Sequence, residues 1–314
     1  MTQVKKWILK AIVQKTISFL PFSRDINYFF QKYVTKGVYL TDEYFYDRLE
    51  HARAHLDAFR KYSNRPLPSS ILEIGTGWYP IVPVSFFLAG TEKIYSVDIS
   101  FLISKQRLHT TLRRLAECHQ ADLLKNHIQV LPERVSVMMD LLEQYDQLSL
   151  EEILNQLQIH YLVEDATRLS LPDQSIDLVN SNNTFEHIYP DTLVSILQQF
   201  KRVIRKDGGV MSHFIDMSDH FAHFDRSINI YNFLRFTDRQ WKWIDNSIQP
   251  QNRLRIYDYK QIYSDLDISI DGESSRAGDP AALSTIPLAP EFSGQPLEEV
   301  AISHCHFISG MCNK

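Results

Sequence analysis

The stretch Ile71-Leu72-Glu73-Ile74-Gly75-Thr76-Gly77-Trp78-Tyr79-Pro80, answered downstream by Val97-Asp98, decides the fold. An apolar run ends in an acidic residue and a Gly-x-Gly, and a second apolar run ends in Asp. That is the order of a strand, a tight turn and a second strand arranged around a nucleoside. The glycines let the backbone turn sharply and approach a ligand closely. Asp98, at the tip of the second strand, is placed to accept hydrogen bonds from ribose hydroxyls. A dinucleotide fingerprint wants a third small residue where this chain has Pro80, so packing of a diphosphate on the following helix is disfavoured. Glu73, two places before the first glycine, suits a cationic ligand better than a pyrophosphate.

Four further phrases follow in order. A third apolar run, Tyr161-Leu162-Val163, precedes Asp165-Ala166. Leu171-Pro172-Asp173-Gln174-Ser175-Ile176-Asp177-Leu178-Val179 leads into Asn182-Asn183 and Phe185-Glu186-His187-Ile188. The last is Phe200-Lys201-Arg202-Val203-Ile204-Arg205-Lys206-Asp207-Gly208-Gly209. Together these resemble a class I S-adenosylmethionine (SAM)-dependent methyltransferase, type 11-like and bacterial, over residues 66–215. The resemblance implies an α/β, Rossmann-like sheet of seven strands in the order 3-2-1-4-5-7-6, with a helical N-terminal lid and helical insertions. It implies SAM as cofactor and S-adenosylhomocysteine as product. It places Glu73, Gly75, Thr76 and Gly77 around the methionine portion, and Asp98 at the ribose with Ile99 beside it. Asp165 would accept from the adenine amino group, with Ala166 supplying a backbone donor. Ser181, Asn182 and Asn183 would lie where methionine meets acceptor, although an Asx-type turn explains the two asparagines equally well. His187 would line the pocket near the cofactor.

The composition bounds the rest. The chain has 314 residues and a formal net charge of −5, which gives no general attraction to nucleic acid. No apolar run reaches membrane-span length. Three cysteines, Cys118, Cys305 and Cys312, have no metal-type spacing and fit a reducing cytoplasm. Lys10 and Lys15 interrupt the N-terminal apolar run before it can form a secretory signal core. The expected location is the cytoplasm, with contact at the inner membrane face as an extension.

Residues 1–65 read as a helical lid, and residues 66–314 as the cofactor domain, with helical insertions near 101–158 and 218–263. Within 2–20, Val4, Ile8, Ala11 and Ile12 recur at helical spacing, with Leu20-Pro21 as the stop. This helix either packs on its own domain or lies on a membrane surface and brings the enzyme to a lipid-linked acceptor. Residues 25–62 are helical and aromatic-rich, with Tyr28, Phe29, Phe30 and Tyr33 among them. Strands are expected at 71–74, 94–97, 160–163, 176–180, 209–215, 268–270 and 300–308. A helix over 192–204 joins the fourth and fifth strands, and 271–298 is a loop.

The unusual segment is His213-Phe214-Ile215-Asp216-Met217-Ser218-Asp219-His220-Phe221-Ala222-His223-Phe224-Asp225, just where the fifth strand ends. Three readings compete. His220 or His223 is a catalytic base oriented by Asp216 or Asp219, as methyl transfer to a hydroxyl requires. Alternatively, Asp216 and Asp219 hold a divalent metal that grips a vicinal diol; this metal is not expected. Thirdly, the segment is a polar network that pins a loop. Beyond it, aromatic residues from Tyr231 to Trp243, with Gln251, Asn252, Arg253 and Arg255, suit a glycan or small-molecule acceptor, or are ordinary core. These phrases also look similar to bacterial methyltransferases of surface-polysaccharide or specialised-metabolite synthesis. O-methylation is the favoured reaction: there is no Asn-Pro-Pro-Tyr phrase for exocyclic amines and no cysteine placed for attack on a pyrimidine. The rival readings are a SAM-binding protein without methyl transfer, and another nucleoside-cofactor enzyme on the same sheet.

Overall fold

The computed structural model describes residues 6–19, 39–247 and 249–311. Val4, the stop at Leu20-Pro21, the aromatic run from Tyr28 to Tyr33, and Cys312 lie outside the described residues. One seven-stranded sheet has the order β3-β2-β1-β4-β5-β7-β6. Its strands are β1 (Ser70–Ile74), β2 (Lys93–Asp98), β3 (Ile159–Val163), β4 (Leu178–Asn182), β5 (Val210–Asp216), β6 (Gly272–Arg276) and β7 (His304–Gly310). The first five pair in parallel, and β7 runs antiparallel to both β5 and β6. Parallel strands need crossovers that cover both sheet faces, so a central strand has no polar alternation. β1 is buried at every position, which explains why Ser70-Ile71-Leu72-Glu73-Ile74 reads as a nearly continuous apolar run.

The crossovers are helical. α1 (Lys6–Ser18) and α2 (Asp42–Ser63) precede the sheet, and α3 (Ile81–Ala89) joins β1 to β2. α3 buries all of its residues, so it is apolar on every side. Between β2 and β3 stand α4 (Lys105–Gln120), α5 (Pro132–Glu143) and α6 (Leu150–Gln156), the helices expected at 101–158. α7 (Pro190–Val203) joins β4 to β5. The excursion after β5 holds α8 (Asp238–Ile244) and α9 (Ile256–Asp265); α10 (Pro280–Ser284) and α11 (Leu297–Ala301) lie between β6 and β7. Among the described residues, no helix is long and apolar enough to cross a membrane.

Three strand expectations need correction, for one physical reason: apolar content marks burial, not pairing. β4 begins two residues later than 176, and Ile176 makes only an isolated bridge to Ile204. Ile268 is a core residue following α9, whereas β6 is the polar edge strand Gly272–Arg276 inside the expected loop. Val300, expected in the last strand, is buried from α11 instead, and β7 starts at His304.

Asp177 secures the lower edge of the sheet. Its carboxylate accepts from the backbone amides of Ser69 (2.9 Å) and Ser70 (3.0 Å). It also pairs with Arg65 at 2.8 Å and Arg205 at 2.9 Å. The aspartate in the phrase Ile176-Asp177-Leu178-Val179 is therefore structural. At the upper edge, α1 packs against the excursion that follows β5. The Trp7 amide donates to Asp225 Oδ2 at 3.0 Å, and Lys15 Nζ donates to the carbonyls of Lys242 (3.0 Å) and Asp245 (2.7 Å). Trp7, Ala11, Gln14 and Ile17 form the buried face. Ile12, grouped with that face by spacing, points outward with Leu9, and Phe19 and Trp243 are more exposed still at 78% each.

Candidate active site

The carboxyl ends of the parallel strands open onto one cavity of ≈ 870 Å³. Ligand cavities run to roughly 300–1,000 Å³, so a nucleoside cofactor and a second molecule fit together. Its position at the switch in strand order, between β1 and β4, is where open α/β sheets bind ligands. All ten residues expected at the cofactor line it: Glu73, Gly75, Thr76, Gly77, Asp98, Ile99, Asp165, Ala166, Asn182 and His187. Asp216, His220 and His223 line the same cavity. Asp219 does not. It is fully buried, accepts from the Phe221 amide (2.8 Å) and Asn232 Nδ2 (3.1 Å), and pins the loop.

The glycine turn follows from local geometry. Gly75 has φ +70° and donates its amide to the Val97 carbonyl at 2.9 Å. A Cβ there would lie 2.5 Å from Thr184 Oγ1, so both conformation and space require glycine. Gly77, at φ +72°, has open space around it; conformation alone selects glycine there. Asp98 reaches back to this turn, accepting from the Gly77 amide at 3.5 Å and the Ser100 amide at 3.3 Å. Asp165 caps the short turn after β3 by accepting from the Thr167 amide at 2.9 Å. That bond holds its carboxyl below the usual range. Asn183 sits at φ 53°, a left-handed position that asparagine tolerates, so the turn reading explains part of the Asn-Asn pair.

Glu73 is 2% exposed and accepts from Thr76 Oγ1 (2.7 Å) and Asn182 Nδ2 (2.9 Å). Behind Asn182 runs a one-way chain of hydrogen bonds. His306 Nε2 donates to Ser212 Oγ (2.8 Å), whose hydroxyl donates to His55 Nδ1 (2.7 Å); His55 Nε2 donates to Asn182 Oδ1 (3.0 Å). The direction is fixed by the Asn182 amide oxygen, which can only accept. His51, whose ring stacks on Phe214 at 3.7 Å, and Arg48, which lines the cavity, extend this face of α2. Sequence reasoning missed all three. Arg48, His51 and His55 are spaced to share one helix face, and that spacing was the available signal.

Burial pushes the Glu73 carboxyl up to about 7. Below that pH it is neutral, and above it a carboxylate lines the cavity, where the cationic end of SAM would meet it. Affinity for SAM therefore rises with pH through about 7, by at most about tenfold per unit, and levels off above it. Calorimetry from pH 5.5 to 8.5 checks this. A flat profile, or the same profile in Glu73→Gln, would refute it.

In the same cavity Asp216, His220 and His223 come together, and Asp219 does not join them. Asp216 Oδ2 lies 3.3 Å from His220 Nε2, and its Oδ1 lies 3.4 Å from His304 Nε2. These partners hold the buried Asp216 carboxyl well below its usual range. The His223 ring is exposed to the cavity, 5.7 Å from that of His220, with Nε2 at 3.3 Å from Ser218 Oγ. His213, by contrast, lies inside the core between Phe185 and Phe200 and is held neutral by burial, at about 3. Glu186, quoted in the sequence without a role, is 2% exposed beside the cluster. Lys10 reaches the same cavity from α1, over the rings of Phe221 and Phe224.

The sequence profile described as a methyltransferase domain matches residues 134–212, from α5 to β5. Among curated proteins no sequence matches. Similar solved structures include a Pyrococcus horikoshii protein at 13% identity, covering 90% of this chain and 97% of that one, with a TM-score of 0.45. Another is the Burkholderia thailandensis 1,6-didemethyltoxoflavin-N1-methyltransferase with S-adenosylhomocysteine bound, at 11% identity, 85% and 79% coverage and a TM-score of 0.43. A third is the Streptomyces coelicolor geranyl diphosphate C-methyltransferase, at 9% identity, 82% and 78% coverage and a TM-score of 0.43. Likenesses this distant leave the assignment to the profile, the strand order and the ordered motifs around the cavity. On those grounds the chain carries a methyltransferase domain, built on a seven-stranded sheet of the order 3-2-1-4-5-7-6, with SAM as its cofactor.

Proposed function

We propose that this enzyme methylates a hydroxyl oxygen of a small molecule or glycan, and that the His220–His223 pair takes the hydroxyl proton. The observation that carries this reading is one cavity lined both by the cofactor motifs and by Asp216, His220 and His223. The acceptor oxygen forms a bond to the SAM methyl carbon. The C–S bond breaks with its electron pair going to sulfur, and the proton passes to imidazole. A neutral imidazole is the right group for this near neutral pH. Burial lowers His223 from its ordinary value, which keeps it unprotonated and able to accept. Glu73 and the glycine turn would hold the methionine portion, Asp98 the ribose, and Asp165 with Ala166 the adenine. Residues 1–65 would act as the lid over both ligands. Incubating the protein with labelled SAM and a panel of hydroxylated metabolites and glycans tests the reading. An O-methyl ether product supports it; N- or C-methylated product alone, or SAM binding without turnover on any acceptor, counts against it.

We further propose that α1 meets the inner membrane face. Its outer side presents Leu9 and Ile12, with exposed Lys6 at its start and exposed Phe19 just past its end. An amphipathic helix of this kind binds an anionic surface through apolar insertion and charge together. Co-sedimentation with anionic liposomes is expected for the full chain and reduced severalfold in Leu9→Ser/Ile12→Ser. Equal binding by both would remove this proposal and leave α1 as a packing element.

A further inference from the structure

We propose that Glu186, His187 and His220 form a binding site for a divalent first-row transition-metal ion at the acceptor end of the cavity. The inference deepens the hydroxyl-transfer reading and rests on it for the ion's role, though not for the ion's binding. One carboxylate oxygen and two imidazole nitrogens of these residues lie within 4.8 Å of one another. A second trio, Asp216, His220 and His223, meets the same condition and shares His220. Small side-chain rotations would bring such atoms to bonds of about 2.0–2.2 Å.

The independent observation is Glu186. Its side chain is 2% exposed, and neither carboxylate oxygen accepts a well-formed hydrogen bond among the described residues. A buried, unpartnered carboxylate is costly unless something of opposite charge meets it. Glu186 is among the residues that line the cavity, and one of its oxygens lies within 4.8 Å of an imidazole nitrogen of both His187 and His220. His187 is prepared in a complementary way. Its Nδ1 donates to the Pro250 carbonyl at 2.7 Å, and a carbonyl can only accept. The proton is therefore on Nδ1, and Nε2 keeps its lone pair for a metal. Backbone or carboxylate partners on the far nitrogen orient metal-binding histidines in this way.

Two imidazoles and one carboxylate select a borderline ion such as Co²⁺, Zn²⁺, Fe²⁺ or Mn²⁺ over Mg²⁺ or Ca²⁺, which favour oxygen ligands. Such a set leaves coordination positions open for the acceptor. A hydroxyl bound there ionises more readily. With His220 engaged by the ion, His223 is the member of the pair left to receive the proton.

The test uses tag-free protein, stripped with EDTA and dialysed, titrated with Co²⁺ in the absence of SAM and acceptor. Calorimetry and visible absorption should show one saturable equivalent. Glu186→Gln and His187→Gln should each weaken it at least tenfold, while Asp98→Ala leaves it unchanged. No uptake of Co²⁺ or Zn²⁺ by the unaltered protein, or equal uptake by both ligand variants, would overturn the site. Should either variant misfold, thermal melting of the unaltered protein decides: Co²⁺ must raise Tm, and no rise counts against the site. Methyl transfer at full rate in protein shown to be metal-free and to take up no Co²⁺ would sink the metal site alone. Intact Co²⁺ uptake with no O-methyl product would sink the acceptor reading alone.

Discussion

Replacing Asp98 by alanine lowers the affinity for SAM and for S-adenosylhomocysteine by about 100- to 1,000-fold. Two effects combine. Asp98 ends β2 beside the glycine turn and lines the cavity, where a ribose would offer it two hydroxyls. Hydrogen bonds to a charged acceptor contribute about 1.5–3 kcal/mol each, and about 1.4 kcal/mol is a factor of ten. The same carboxylate also holds the amides of Gly77 and Ser100, so its removal loosens the glycine turn, against which the methionine portion would rest. Calorimetry with both ligands, and with NAD as the control for the rival cofactor, measures the loss. Equal affinity in Asp98→Ala, or tighter binding of NAD than of SAM, would contradict the cofactor geometry.

His223→Gln lowers kcat by about 10²–10⁴-fold, the usual contribution of a positioned base, while the affinity for SAM changes by less than about threefold. Glutamine keeps hydrogen-bonding capacity and much of the volume but takes no proton. His220→Gln falls in the same range, because it loses both the second imidazole and the tie to Asp216. The split between kcat and cofactor affinity matters here: a merely structural role for the loop would degrade both together. Near-normal kcat in both variants would remove the imidazole pair from the chemistry.

The half of the site built on β1 and β2 was readable because backbone conformation dictates residue type there. Gly75 must be glycine, and Asp98 must be a short acid at a strand tip. The half built on α2 was not readable, because the apolar pattern of a helix does not say which polar side chains meet a cavity. Arg48, His51 and His55 sit in a sequence that also reads as a plain solvated helix, and only packing turns them toward Asn182. Asp219 failed as an orienter for the opposite reason: two aspartates three residues apart look equivalent until the chain bends, and only Asp216 then faces His220. The strand order was legible from the motifs, whereas β6 was not. An edge strand of Gly-Glu-Ser-Ser-Arg is paired on one side only and carries no apolar signature.

The docking of α1 has a consequence for how this enzyme is made. Trp7 bonds to Asp225, 218 residues away along the chain, and Lys15 bonds to carbonyls 227 and 230 residues away. During synthesis from the N-terminus, β1, β2 and β3 emerge while the described hydrogen-bond partners of α1, Asp225, Lys242, Asp245 and Gln249, are still untranslated. Contacts of such high sequence separation close late. The strands that carry the glycine turn and Asp98 can therefore pair before the acceptor wall and α1 come together. Although α1 precedes the sheet in the chain, it is among the last described elements to find its place, and until then its apolar face stays uncovered.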